Sequence, residues 1–337
     1  MNDTRDANPR FDVLWDSDGT LDGIIGLMYF LQRPDVTVHA LTISCGEARP
    51  PIYAPLMPRI LARVGRDAIP TAAGRSKPLS GENAFPDDWR AWVNDFHGVD
   101  LPEVEGAIDP RQADELMVEV INAVPRPVTL FVCGTHTNLA GALRLDPGIK
   151  EKIASVHVMG GALCVPGNLV FGVPETDNLS AEWNIWVDPV AASEVFGAGL
   201  PLNIVALDAT DQVLWTAEDV EAWQASGTPE GCLAAELLRF ALDNFPGVVP
   251  DGRHLWDLVA AVHLTNPQLF QNEPHSPFLV PSTRQRRTDM RHLAGAQGEA
   301  SPVECGPEIH PDSFASVPGR LDQRPLECQR AHCKLEA

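Results

Sequence analysis

The sequence predicts an α/β fold in which an open, mostly parallel sheet carries helices on both faces. Apolar runs of β type alternate along the chain with helical patterns of ten or more residues, as repeated strand–helix–strand units require. The chain has 337 residues, 44% of them hydrophobic, enough to bury a large core around such a sheet. In a Rossmann-like sheet ligands bind outside the carboxyl ends of the strands. The loops after residues 15, 44, 133, 159 and 207 are therefore expected to carry the chemistry.

Each element has its own signal. Phe11 to Trp15 is an apolar run and reads as the first strand. Residues 20–32 read as a helix, with Ile24, Ile25, Leu27, Met28 and Leu31 apolar at helical spacing. VTVHALTIS (36–44) is the next strand, and 54–65 reads as a helix. IPTAA (69–73) is strand-like, 111–123 helical, VTLFVC (128–133) a strand and 138–145 helical. IASVHVM (153–159), a helix starting at Pro189, and LNIVAL (202–207) continue the alternation. The chain shows no internal repeat. Residues 1–10 are expected to be a flexible N-terminus and 11–272 one α/β domain. After 272 the periodicity stops. Residues 273–337 hold eight prolines, three of the seven cysteines and four of the ten histidines. They read as an atypical extension, unstructured or loosely packed, or as sequence out of frame and foreign to the fold.

Bulk charge removes several classes of function. The formal net charge is −21, which repels nucleic-acid phosphates, so no nucleic-acid partner is expected. No apolar run approaches the roughly 20 residues of a membrane helix, and no membrane partner is expected. The N-terminus MNDTRDANPR is polar and lacks a signal core, so the expected location is cytoplasmic. Seven scattered cysteines without a CxxC pair argue against a disulfide framework or a zinc site and for reduced thiols.

The stretch VLWDSDGTLDG (13–23) admits two readings. DSDGT alone looks like the first motif of a haloacid-dehalogenase-type phosphatase, with Asp16 as nucleophile and Mg²⁺ as cofactor. That chemistry also needs a late acidic pair that holds the metal, and no Gly-Asp acidic motif follows a strand here. The second reading is an altered metal-binding loop, and the rest of the chain points to it.

Several segments, in order, resemble the nucleoside hydrolase family of the inosine–uridine-preferring type. GTHTNLAGALRLDP (134–147) is similar to its Gly-Pro-Leu-Thr-Asn-Leu-Ala loop, and VHVMGGALCVPGN (156–168) to its Met-Gly-Gly strand end. NLSAEWNIWVDPVAASEVF (178–196) resembles its Asn…Glu-Phe-Asn segment and Asp-Pro helix. IPTAAGRSKPL (69–79), LPLNIVALDAT (200–210) and HLWDLVAA (254–261) resemble further family segments. The resemblance covers about 11–272, and 13–23 then corresponds to an Asp-x-Asp-Pro-Gly-x-Asp-Asp loop.

The resemblance implies hydrolysis of the N-glycosidic bond of nucleosides to free base and ribose, with a Ca²⁺-activated water. Asp18 matches the general base and a metal ligand, although an Asp there can also cap the following helix. Asp257 matches a late metal ligand and the Thr137 carbonyl another. Asp257, just ahead of an apolar helix, can likewise be read as a cap. Asp16 matches a loop-shaping position. Asp22, Asn178, Glu182 and Asn184 match groups that hold ribose, with Asn168 a rival for the role of Asn178. Met159 matches a residue under the sugar. The resemblance also implies a dimer or tetramer.

Three departures stand out. The loop's fourth acid is Gly23, removing one carboxylate from the metal. The family's Asn after the second strand is Glu47, which either restores that charge or is a solvated loop acid. The His before the late Asp is Trp256, whose indole can stack on a base but cannot deliver a proton at neutral pH. His254 and His97 are then candidates for protonating the leaving group. The aromatic-rich segment 80–98 reads as a flap over the site or an ordinary surface loop, and Asn83 within it can reach the sugar. These departures also fit a degenerate homologue that binds a nucleoside or ribose without turning it over.

Overall fold

A computed structural model describes residues 10–104, 108–245 and 252–270. The elements in chain order begin with β1 (Phe11–Ser17), α1 (Leu21–Gln32), β2 (Val36–Ile43), α2 (Pro50–Tyr53), α3 (Met57–Arg63) and β3 (Thr71–Ala73). They continue with α4 (Asp87–Asn94), α5 (Ala113–Ala123), β4 (Val128–Cys133), α6 (Thr137–Leu145), β5 (Ile153–Met159), α7 (Trp183–Val187), α8 (Pro189–Gly197) and β6 (Leu202–Val205). The last are α9 (Leu207–Thr210), α10 (Ala217–Ala225), α11 (Pro229–Asn244) and α12 (Trp256–Thr265).

All strand pairs are parallel, and the sheet order is β3-β2-β1-β4-β5-β6. The order reverses between β1 and β4, which opens a crevice at the carboxyl ends of those two strands. Alternation along the strands divides the core. Val13 and Trp15 of β1 and Phe131 and Cys133 of β4 pack on one face with α1, α11 and α12. Leu14, Leu130 and Val132 pack on the other with α5, α6 and α8. Both faces being covered explains why the strands read as continuous apolar runs.

Two expected elements differ in extent. The helix expected over 54–65 is a 3₁₀ turn at Ala54–Leu56 followed by α3, and a short helix the sequence reading did not include, α2, precedes them. Pro55 and Pro58 supply the reason, since each lacks an amide donor and crowds the turn before it. The strand expected over 202–207 ends at Val205, and Leu207 already starts α9. Cys45, Cys133 and Cys232 are free thiols, but Cys164 is disulfide-bonded, against the expectation of reduced thiols. Among the described residues no helix is long and apolar enough to cross a membrane. The expectations for residues 1–9 and 271–337 lie outside the described residues.

The ring of Phe131, fully buried on the central strand β4, meets Phe30 of α1 edge-on at 5.1 Å. Phe131→Ala is expected to cost about 3–5 kcal/mol of stability, measurable by urea denaturation, because it opens a cavity between sheet and helix. A loss below about 1 kcal/mol would contradict the packing described.

Candidate active site

The crevice is built around Asp18, the residue after β1. The carboxylate is fully buried, and its Oδ2 accepts the Glu47 amide at 2.9 Å while Oδ1 has no hydrogen-bond partner. Two glycines let neighbouring loops close on it. A Cβ at Gly46 would fall well inside contact distance of Asp18 Oδ2, and one at Gly134 would lie 2.5 Å from the Asp18 amide nitrogen. The loops after β1, β2 and β4 therefore meet at one side chain. Thr135 Oγ1 donates to the Cys45 carbonyl at 2.6 Å and ties two of those loops together.

Asp16 serves the frame. Its Oδ1 accepts Thr42 Oγ1 at 2.8 Å and Asn138 Nδ2 at 2.9 Å, while Oδ2 is buried without a partner. Burial pushes its carboxyl up to about 7, against the two hydrogen bonds. A nucleophile must be reached by substrate, and Asp16 is sealed from solvent.

Further acids surround Asp18. Asp22, in the first turn of α1, accepts the Asp257 amide on Oδ2 at 3.0 Å. Asp257 lies inside the first turn of α12, not ahead of it, and Leu255 is the cap residue. Its Oδ2 accepts Thr20 Oγ1 at 2.7 Å. Thr20, not Asp18, caps α1, accepting the Gly23 amide at 3.1 Å. Burial pushes Asp18 up to about 7, with repulsion from Asp22 and Glu182 added and the Glu47 amide opposing. Burial also raises Asp22, Glu182, Glu47 and Asp257, with Asp18 and Asp22 repelling the last two. Among the described residues no Lys, Arg or His pairs with these five carboxylates. Such an anionic oxygen cluster with an unpartnered oxygen suits a hard divalent cation. The side chains do not form a finished cage, for among the described residues no three His, Cys, Asp or Glu are arranged to hold an ion.

A second group lines the crevice beyond β5. Glu182 caps α7, its Oε1 accepting the Asn184 amide at 2.9 Å and its Oε2 the Gly161 amide at 3.0 Å. Asn184 Nδ2 donates to the Met159 carbonyl at 3.2 Å, and Met159 is buried. Of the rival amides, Asn168 is buried, and its Oδ1 accepts the Trp183 amide at 3.1 Å. Asn178 folds into a local turn, accepting the amides of Ser180 and Ala181. Thr137 starts α6, and its hydroxyl donates to Asp188 Oδ2 at 2.6 Å. Asp188 also accepts the amides of Leu79 and Ala191, a joining role that the sequence reading missed.

The segment 80–98 contains α4 and packs onto this region. Phe85 stacks on Trp183 with ring centroids 4.5 Å apart, and Trp89 joins them at 5.7 Å from Trp183. Asn83 is spent on the Trp186 carbonyl at 2.7 Å. Trp256 donates Nε1 to Asp211 at 2.7 Å and stacks with His254, whose Nδ1 lies 3.0 Å from the Val213 carbonyl. His97 is buried against Phe240, and burial lowers its imidazole to about 4.

The family description "inosine-uridine preferring nucleoside hydrolase" matches residues 13–314. The chain belongs to that family. It is 36% identical over 234 residues to the pyrimidine-specific ribonucleoside hydrolase RihA of Citrobacter koseri, covering 68% of this chain and 71% of that one. It is 35% identical over 265 residues to RihA of Escherichia coli, covering 77% and 80%. A plant nucleoside hydrolase, PpNRh1, superposes with a TM-score of 0.67 at 26% identity over 78% and 81%. A purine-preferring ribonucleoside hydrolase from Gardnerella vaginalis, at 24% identity and a TM-score of 0.70 over 78% and 82%, shares the fold. As a nucleoside hydrolase the chain is a glycosidase that hydrolyses ribonucleosides. The family match continues past residue 272.

The acids of this nucleoside hydrolase set a pH dependence. Asp16 stands near 7 against an ordinary value of 3.8, so between those values the unfolded chain has released a proton that the fold retains. Stability contributed by this group is therefore lost as pH rises from about 4 to about 7. Asp16→Asn should remove that loss, worth on the order of 2–4 kcal/mol. Urea denaturation in EDTA at about pH 5 and about pH 8 checks it, and an unchanged pH slope in the variant would count against the assignment.

Proposed function

We propose that this chain cleaves the C1′–N bond of ribonucleosides with Asp18 as general base. The observation that carries the reading is the buried, unpartnered Asp18 Oδ1 at the sheet's switch point. A general base needs an oxygen free to take a proton within reach of the water, and Asp18 Oδ1 is such an oxygen. Asp18 takes the proton of the attacking water, and the developing oxocarbenium character of the sugar faces a strongly anionic wall. Asp22, Glu182 and Asn184 orient the ribose hydroxyls, since carboxylate and amide groups can bracket vicinal hydroxyls that both donate and accept. Asn168 joins them in preference to Asn178, because it is buried beside Glu182 and Trp183 while Asn178 is used in its own turn. Trp256 and His254 form a stacked pair beside Asp257 that suits the face of a base.

Asp18, Asp257 and the Thr137 carbonyl would hold Ca²⁺. When bound, that ion lowers the pKa of a water and orients it. The cluster fits such a cation in donor type and charge. Gly23 and Trp256 favour a second reading, a binder of nucleoside or ribose without turnover.

The names of the relatives put uridine and cytidine first among substrates to test. Release of free ribose from a pyrimidine and purine nucleoside panel is expected with Ca²⁺ and is expected to stop with EDTA. Asp18→Asn should lower kcat by at least about 10²-fold, as loss of a general base does. No release from any nucleoside by folded protein, with ligand-induced thermal shifts retained, would establish the binder instead.

A further inference from the structure

We propose that Glu47 is a cation ligand of this chain and that the cation seat lies between Asp18 and the loop after β2. This rests on the metal-assisted reading above. The family loop has an acid where this chain has Gly23, and the geometry shows that the vacated space is taken. Thr20 Oγ1 sits on Asp257 Oδ2 at 2.7 Å and accepts the Gly23 amide at 3.1 Å. A Cβ on Gly23 would lie 2.7 Å from Ser17 Oγ, 2.9 Å from Thr20 Oγ1 and 3.1 Å from Asp257 Oδ2. One oxygen of Asp257 is thus already engaged by a hydroxyl, and no acid can enter from position 23 without displacing its neighbours.

The opposite side of Asp18 presents the reverse picture. The Glu47 amide holds Asp18 Oδ2, and the loop wraps so closely that only glycine fits at 46. Among the described residues the half-buried Glu47 carboxylate has no basic partner. Two buried oxygens in the same neighbourhood, Asp18 Oδ1 and Tyr53 Oη, have no hydrogen-bond partner. Tyr53 lies under Gly19, its ring 2.8 Å from where a Cβ there would stand, and it feels the charges of both Asp18 and Glu47. An oxygen-seeking divalent cation at this place satisfies Asp18 Oδ1 and neutralises Glu47 together. The number of charged ligands sets affinity in such sites, so the acid missing at 23 is replaced in count, from another strand end.

The test is calorimetric titration of the EDTA-stripped full chain with CaCl₂, with the melting temperature followed in parallel. Glu47→Gln is expected to weaken Ca²⁺ binding at least about tenfold, whereas Glu82→Gln, on an exposed residue paired with Lys77, should stay within about twofold. In EDTA the Glu47→Gln melting temperature should equal or exceed that of the parent, because a repelling charge has gone; a merely structural Glu47 would lower it. Parent-like binding by Glu47→Gln overturns the assignment of Glu47 alone. No Ca²⁺ binding by the parent chain overturns the metal-assisted reading with it.

Discussion

Burial of like charge is the constraint that the rest of this structure serves. Asp16, Asp18, Asp22, Asp257 and Glu182 are all buried near the ends of the central strands with no basic side chain against them among the described residues. Unpaired buried charge is costly, and the fold meets that cost with oriented donors. The Glu47 amide serves Asp18, the Asp257 amide serves Asp22, the Thr20 hydroxyl serves Asp257, and three amides around α7 serve Glu182. Those donors come from five segments: the loop after β2, α12, the turn before α1, the loop after β5, and α7. The two covered faces of the sheet supply the rigidity that keeps them converged.

The convergence also explains how much could be read from the chain alone. The strands were legible because burial on both faces makes them apolar throughout, and α1, α5, α6 and α8 because their apolar residues recur at helical spacing. The helices α10 and α11 escaped notice, although Thr216 with Asp219 forms a capping box and Thr228 precedes Pro229. The broken helix near 54 escaped because Pro55 and Pro58 interrupt a pattern that is otherwise helical. At the site, the acids were visible as residues in motif-like loops. Their supports were not. Thr20, Asn138, Tyr53 and Asp188 matter through contacts across tens to hundreds of positions, and nothing local in the sequence marks a threonine that will cap one helix and hold a carboxylate on another. Asn168 and Asn178 were indistinguishable by spacing, and only the turn around Ser180 separates them.

The aromatic cover has a related logic. Phe85 and Trp89 rest on Trp183, and the amide of Trp183 is held by Asn168. The aromatic segment and Asn168 thus share one indole. The segment that holds Phe85 and Trp89 is thereby fixed in place through the same indole whose amide is bonded to Asn168.

The packing around Gly23 ties that position to the helix cap at Thr20. With Thr20 in place, an acid at 23 meets the Ser17 and Thr20 hydroxyls and the Asp257 carboxylate at once. An acid placed there alone is crowded by two hydroxyls and stands beside a carboxylate. Removal of the Thr20 side chain relieves only one of these contacts, since Ser17 Oγ lies closer still, and it strips the cap from α1. Positions 20 and 23 are therefore coupled. Charge at position 23 and the cap of α1 thus compete for one small volume of the fold.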